Sequence, residues 1–66
     1  MITQVNGQTL ELSDATTASE LIAQLGYADQ RIALEVNENI IPKSKHAEHQ
    51  LKDGDKIEII KAVGGG

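Results

Sequence analysis

Polar and apolar positions along the chain recur with two different periods, and each change of period marks out an element. Met1, Thr3 and Val5 share one strand face, Leu10 and Leu12 share another around Glu11, and Asn6-Gly7 lies between the two runs. Alternation is the mark of a strand with one buried face, and Asn-Gly suits a type I′ hairpin turn, which needs positive φ at both central residues. The spacing therefore predicts a hairpin over residues 1–12. Beyond Thr16 the period lengthens. Ala18, Leu21, Ile22 and Leu25 form one helical stripe, and Thr17 with Glu20 three residues on forms a capping box. Gly26 stands where a left-handed residue ends a helix, with Tyr27 placed to pack back on Ile22.

Alternation returns over residues 31–36, with Ile32, Leu34 and Val36 on one face. Asn37-Glu38-Asn39 predicts a turn, and Ile40-Ile41 a short strand that Pro42 confines to an edge or an end of a sheet. Residues 43–50 are polar and predict an irregular segment or a single helical turn, anchored by Leu51; Asp53-Gly54-Asp55 predicts another turn. In residues 56–63, Ile57 and Ile59 face inward and Ile60 lies on the other face. An apolar residue on both faces is the pattern of a strand covered on both sides, hence a central one. The predicted order is β-β-α-β-β-β, an α+β fold in which one main helix covers a mixed five-stranded sheet. Residues 1–63 form the domain and residues 64–66 a flexible glycine tail.

Composition narrows what such a fold could do. Sixty-six residues make one domain, with no second core and little room for an enclosing cleft. There is no cysteine, which fits a reducing compartment and removes thiolate nucleophiles and thiolate metal sites. A basic-then-apolar leader is absent and no apolar run approaches the ~20 residues that span a bilayer, so the sequence predicts a cytoplasmic protein without membrane association. The net charge of −4 and the single Tyr argue against nucleic-acid binding, which relies on phosphate neutralisation and aromatic stacking, and favour a basic partner surface. His46 and His49 are three apart, but with only Glu48 near them they read as solvated loop residues, not metal ligands. Asp53 and Asp55 flank a glycine and read as turn chemistry. Ser13, Ser19 and Ser44 have no histidine and acid arranged around them, so no catalytic group is expected in this chain.

Candidate chemistry concentrates in Gly64-Gly65-Gly66, which follow directly on the last strand. Without Cβ atoms such a segment can pass through a channel too narrow for side chains. From Val63 onward, four residues at about 3.3 Å each reach roughly 13 Å. The reactive group they carry is the Gly66 α-carboxylate. An α-carboxyl group has a reference pKa of about 3.3–3.7, so at neutral pH it is an anion and a poor electrophile until a partner activates it. Glycine then offers the least hindered carbonyl to a nucleophile. A phosphate-cradling loop, the other common use of a glycine run, needs a helix directly after it and finds none. Ile60, if outward, and Val63 are candidate docking residues for partners, because exposed apolar surface marks such sites.

Asn6-Gly7, the helix start Thr17-Ala18-Ser19-Glu20-Leu21-Ile22, the segment Val36-Asn37-Glu38-Asn39-Ile40-Ile41-Pro42, the strand Asp53-Gly54-Asp55-Lys56-Ile57-Glu58-Ile59-Ile60 and the ending Ala62-Val63-Gly64-Gly65-Gly66 together resemble the thiamine-pathway sulfur carrier (ThiS) family, of ubiquitin-like β-grasp fold. The resemblance runs over the whole chain. It implies a non-enzymatic carrier that is a monomer when free and binds no cofactor itself. An E1-like adenylyltransferase of ThiF type would use ATP to adenylate Gly66, and a cysteine desulfurase system would supply sulfur to form a thiocarboxylate. The tail, with Gly64 and Gly65 threading into the partner, would then deliver that sulfur to a thiazole synthase of ThiG type. The family often carries a Trp near the position of His46, so the packing of that loop is expected to differ. The molybdopterin synthase small subunit and ubiquitin-like modifiers use a similar terminus, and TGS-like binding modules share part of the pattern around Asp53-Gly54-Asp55.

Overall fold

The computed structural model describes residues 1–61, so Val63, Gly64, Gly65 and Gly66 and the expected domain–tail boundary lie outside the described residues. Five strands and one α-helix follow in the order β1 (Ile2–Val5), β2 (Gln8–Glu11), α1 (Ala18–Gln24), β3 (Ile32–Val36), β4 (Asn39–Ile41) and β5 (Lys56–Lys61), with a 3-10 turn at Lys43–Lys45. They form one mixed sheet in the order β2-β1-β5-β3-β4. β5 is the central strand, parallel to β1 and antiparallel to β3. The expected element order, the mixed sheet and the single covering helix are all present.

Local chemistry explains each corner. Asn6 and Gly7 take φ of 51° and 83°, the two positive values of a type I′ turn. In α1, Glu20 N donates to Thr17 Oγ1 (3.2 Å) and Thr17 N to Glu20 Oε1 (2.9 Å), the reciprocal capping box. The two remaining free amides of the first turn are satisfied from far along the chain: Ala18 N donates to His49 O and Ser19 N to His46 O. At the other end Tyr27 N reaches Ile22 O and Gly26 N reaches Ala23 O, with Gly26 at φ 85°, so the helix closes in a Schellman motif.

Leu21, Ile22 and Ala18 of α1 pack with Val5, Leu34, Val36, Ile57 and Ile59 of the sheet and with Leu12 and Leu51 in one buried cluster. The other face of the sheet has no layer upon it among the described residues. Here three expectations are corrected. Leu25 continues the helical stripe in sequence but is 36% exposed, because it is the C-cap and has left the face that meets the sheet. Ile60 is 49% exposed, so β5 is central because it has a neighbour on each edge, and not because both its faces are covered. The turn after β3 is two residues long: Asn37 and Glu38 form it at φ 52° and 71°, and Asn39 already pairs with Val36 in β4. Among the described residues no helix is long and apolar enough to cross a membrane.

Glu38 occupies a left-handed position that a type I′ turn normally gives to glycine, at a cost of about 1 kcal/mol for a residue with a Cβ. Some of that gain is returned to the unfolded chain, whose freedom glycine increases. Glu38→Gly is expected to stabilise the fold by about 0.5 kcal/mol, seen as a Tm rise of a few degrees. A fall in Tm would mean that the Glu38 side chain makes a contribution larger than the strain it bears.

Candidate functional site

The group singled out by sequence follows β5 in the chain. Ile57 is fully buried and Ile59 is 7% exposed, and the two fix the inner face of β5 in the core. Both edges are then secured by asparagines from the two type I′ turns. On the β1 side, Gln4 N and Asn6 N donate to Asp55 O and Ile57 O. β1 then turns away, yet the ladder continues: Ile59 N donates to Asn6 Oδ1 (2.8 Å) and Asn6 Nδ2 donates to Ile59 O (3.3 Å). One amide side chain thus imitates a strand residue for one more step toward the strand's end.

On the β3 side the same chemistry holds the strand's start. Asn37 N donates to Lys56 O (2.7 Å) and Lys56 N donates to Asn37 Oδ1 (3.0 Å). Asn37 Nδ2 reaches Asp55 Oδ1 (3.0 Å), while Asp55 Oδ2 accepts from Lys52 N (2.8 Å). Asp55 is therefore a buried turn residue with both oxygens engaged, and Asp53 Oδ1 accepts from Ile2 N (2.7 Å). The structural reading of both aspartates holds. A left-handed Asn with a free amide is favoured over other residues in such turns because its short side chain can serve the backbone.

Ile60 lies on the uncovered face of the sheet, paired across β3 with Ala33. Val63, Gly64, Gly65 and Gly66 lie outside the described residues. His46 departs from its expected place in solvent. It is buried, with Nε2 2.9 Å from Ile41 O, and its own carbonyl receives the Ser19 amide. A carbonyl can only accept, so Nε2 carries the hydrogen. The 3-10 turn folds back on the start of α1, and His46 fills the space between them; His49 is half-buried beside it. Among the described residues no group of three His, Asp or Glu side chains could hold a metal ion.

An open cleft of about 660 Å³ runs between α1, the loop after it and the 3-10 turn, lined by Ile22, Tyr27, Arg31, Ile32, Lys43 and His46 among others. It is larger than the chain's length suggested. Ser19 and His46 both line it, but they are joined by a backbone hydrogen bond from Ser19 N to His46 O, and His46 Nε2 is engaged with Ile41 O. Sequence reasoning missed the two asparagine clamps, whose partners lie 53 and 18 or 19 residues away. The signal available was Asn at the first position of each two-residue turn.

The ThiS family model matches residues 2–66. The chain is 39% identical over 62 residues to a thiazole synthase of Paramagnetospirillum magneticum, a match that covers 94% of this chain and 19% of that protein. It therefore spans about a fifth of the length of that relative. It is 33% identical over 61 residues to the sulfur carrier protein ThiS of Escherichia coli, with 92% of each covered. Its fold is similar to the crystal structure of a thiamine biosynthesis protein (ThiS) from Geobacter metallireducens, with a TM-score of 0.85 and 26% identity over the whole of both chains.

Asn6→Ala removes two hydrogen bonds and puts a Cβ with no compensating amide at φ 51°, so it should cost about 2 kcal/mol by chemical denaturation. Asn6→Asp keeps the acceptor and should cost about half as much. Amide exchange at Ile59 should accelerate in the Ala variant more than at Leu34, on a strand Asn6 does not touch. Equal acceleration at both would place the loss in global stability and not in the clamp.

Proposed function

The chain belongs to the ThiS family, the sulfur carriers of thiamine biosynthesis, and on that premise we propose that Gly66 is the residue that carries the sulfur. The observation that carries this reading is the extent of the family match. It runs through Gly66 and takes in the whole Val63-Gly64-Gly65-Gly66 ending, on a scaffold whose central strand leads to it.

The chemistry follows from the state of the group. A carboxylate oxygen is a poor leaving group, so in an E1-like adenylyltransferase it attacks the α-phosphorus of ATP, forming the acyl adenylate of Gly66 and releasing pyrophosphate. A persulfide sulfur supplied by a cysteine desulfurase system then displaces AMP to give an acyl disulfide, and a thiol reductant cleaves its S–S bond to leave a thiocarboxylate, a better nucleophile than the carboxylate it replaces. A thiazole synthase receives that sulfur. The resemblance of this chain to a stretch making up 19% of a thiazole synthase supports that last partnership. Gly64 and Gly65 serve as the narrow segment that enters each partner, and Ile60 and Val63 as apolar contacts near its base. In this reading ATP belongs to the activating enzyme, and the chain is a carried substrate, not a catalyst.

Intact mass measured after incubation with ATP, an adenylyltransferase of this kind and a sulfur source should rise by one sulfur-for-oxygen exchange. Deleting Gly66, or adding one residue after it, should abolish the gain while leaving the thermal melt unchanged, because the core cluster of the described residues runs from Val5 to Ile59. A gain of sulfur by the extended protein would sink the reading.

A further inference from the structure

The Asn6-Gly7 turn brings together the two groups of a spontaneous backbone reaction. Asparagine places an amide carbon where the main-chain nitrogen of the next residue can attack it and close a succinimide ring. Glycine hinders that attack least, because it has no Cβ and leaves the chain free to bring nitrogen and carbon together. The chain has three asparagines, and the other two, Asn37 and Asn39, are followed by Glu38 and Ile40, whose side chains shield the nitrogen. Asn6 and Gly7 are both exposed, so water reaches the turn.

The folded geometry opposes the reaction. Asn6 is held at φ 51°, and both polar atoms of its side chain are engaged with Ile59: Oδ1 accepts from Ile59 N (2.8 Å) and Nδ2 donates to Ile59 O (3.3 Å). While these bonds stand, the amide carbon cannot swing toward the Gly7 nitrogen, and the Nδ2 leaving group is tied down. The pairing of β1 with β5 covers Lys56 and Ile57, so the bonds that restrain Asn6 are also those that hold β5 on this edge at Ile59. Release of the strand at Ile59 therefore releases the amide for reaction.

We propose that Asn6 is a site of spontaneous deamidation, kept silent by its clamp on Ile59 and started by the opening of that clamp. The Gly7 nitrogen, after losing its proton to base, bonds to Asn6 Cγ; the Cγ–Nδ2 bond breaks, and ammonia leaves with a proton taken from water. Water then adds to either carbonyl of the succinimide and opens it to aspartate or isoaspartate. Either product adds one negative charge, taking the chain from −4 to −5. Aspartate keeps the acceptor for Ile59 N but sets a second one against Ile59 O, where Nδ2 now donates, and two facing acceptors repel. Isoaspartate diverts the main chain through Cγ and lengthens a turn that joins Val5 directly to its partner Gln8, so the side chain that reached Ile59 is gone. Each product weakens the clamp. The mark thus accumulates on chains whose β5 has let go at Ile59, and once made it keeps that end of the strand loose. Asp53-Gly54 shares the glycine, but a carboxylate has no ammonia to release and its isomerisation leaves the charge unchanged.

The test incubates the full chain in mildly alkaline buffer, with and without denaturing urea, and follows Asn6 by anion exchange and peptide mass mapping. In urea Asn6 should deamidate while Asn37 and Asn39 stay intact. Gly7→Ala should slow the reaction by about tenfold, and it is read in urea, where the effect of the substitution on the fold does not matter. In the folded native chain the reaction should be at least about tenfold slower than in urea, and the ratio of the two rates should equal, within about threefold, the open fraction given by amide exchange at Ile59. The deamidated chain, separated by its charge, should melt below the native one, with exchange accelerated more at Ile59 than at Leu34. Equal rates in folded and unfolded chains, or a ratio unrelated to exchange at Ile59, would overturn the proposal by removing the clamp from it. A Gly7→Ala chain that deamidates at the native rate in urea would overturn it by removing the attack of the residue 7 nitrogen. Native melting and native exchange at Ile59 in the deamidated chain would overturn it as well. None of these outcomes touches the reading of Gly66 as the sulfur-carrying residue.

Discussion

A single strand, β5, must be gripped along both edges for the rest of the molecule to have a purpose. It has β1 on one side and β3 on the other, its inner isoleucines are sunk in the core, and two asparagine side chains extend the grip beyond what backbone pairing reaches. A group delivered from the end of an edge strand would move with every fraying event at that edge. From a strand held on both sides it starts from a fixed point, and only the residues beyond that point need to adapt to a partner.

Covering one face only is the second determining feature. One short helix can shield one side of a five-stranded sheet, and α1 is held there by four satisfied first-turn amides, two of them bonded to carbonyls of the segment around His46 and His49. In that segment a buried histidine with a carbonyl partner does the packing. With the helix side closed, the opposite side carries Ile40, Ile60, Glu35 and Glu58. The division between a shielded and a presenting face is that of the described residues, in which α1 packs on one side of the sheet and no element covers the other.

The elements were legible where their signals are local. Asn6-Gly7 announced its hairpin, Thr17 with Glu20 its helix start and Gly26 its helix stop, because each depends on residues within four positions of one another. Ile60 pointed to a central β5 through a mistaken route. Two apolar faces suggested two covering layers, whereas the second face is open and the isoleucine on it belongs to the candidate site. Leu25 misled for a similar reason, since periodicity continues through a cap while the helix does not. The burial of His46 and the reach of Asn6 to Ile59 could not be read from sequence, because they join segments that only the tertiary fold brings together. The candidate tail was legible from composition alone, as an end without side chains; its supporting clamps were not.

The parallel contact between β1 and β5 has a consequence for how the protein is made. Ile2 O accepts from Gly54 N and β1 pairs with Lys56 and Ile57, so β1 must wait for β5 to be made before the middle of the sheet can close. Contacts so distant in sequence form slowly and late. A nascent chain that stalls after β4 has two hairpins and a helix but no central strand to unite them, and is left open to proteolysis. Synthesis through β5 is thus a condition for closing the sheet.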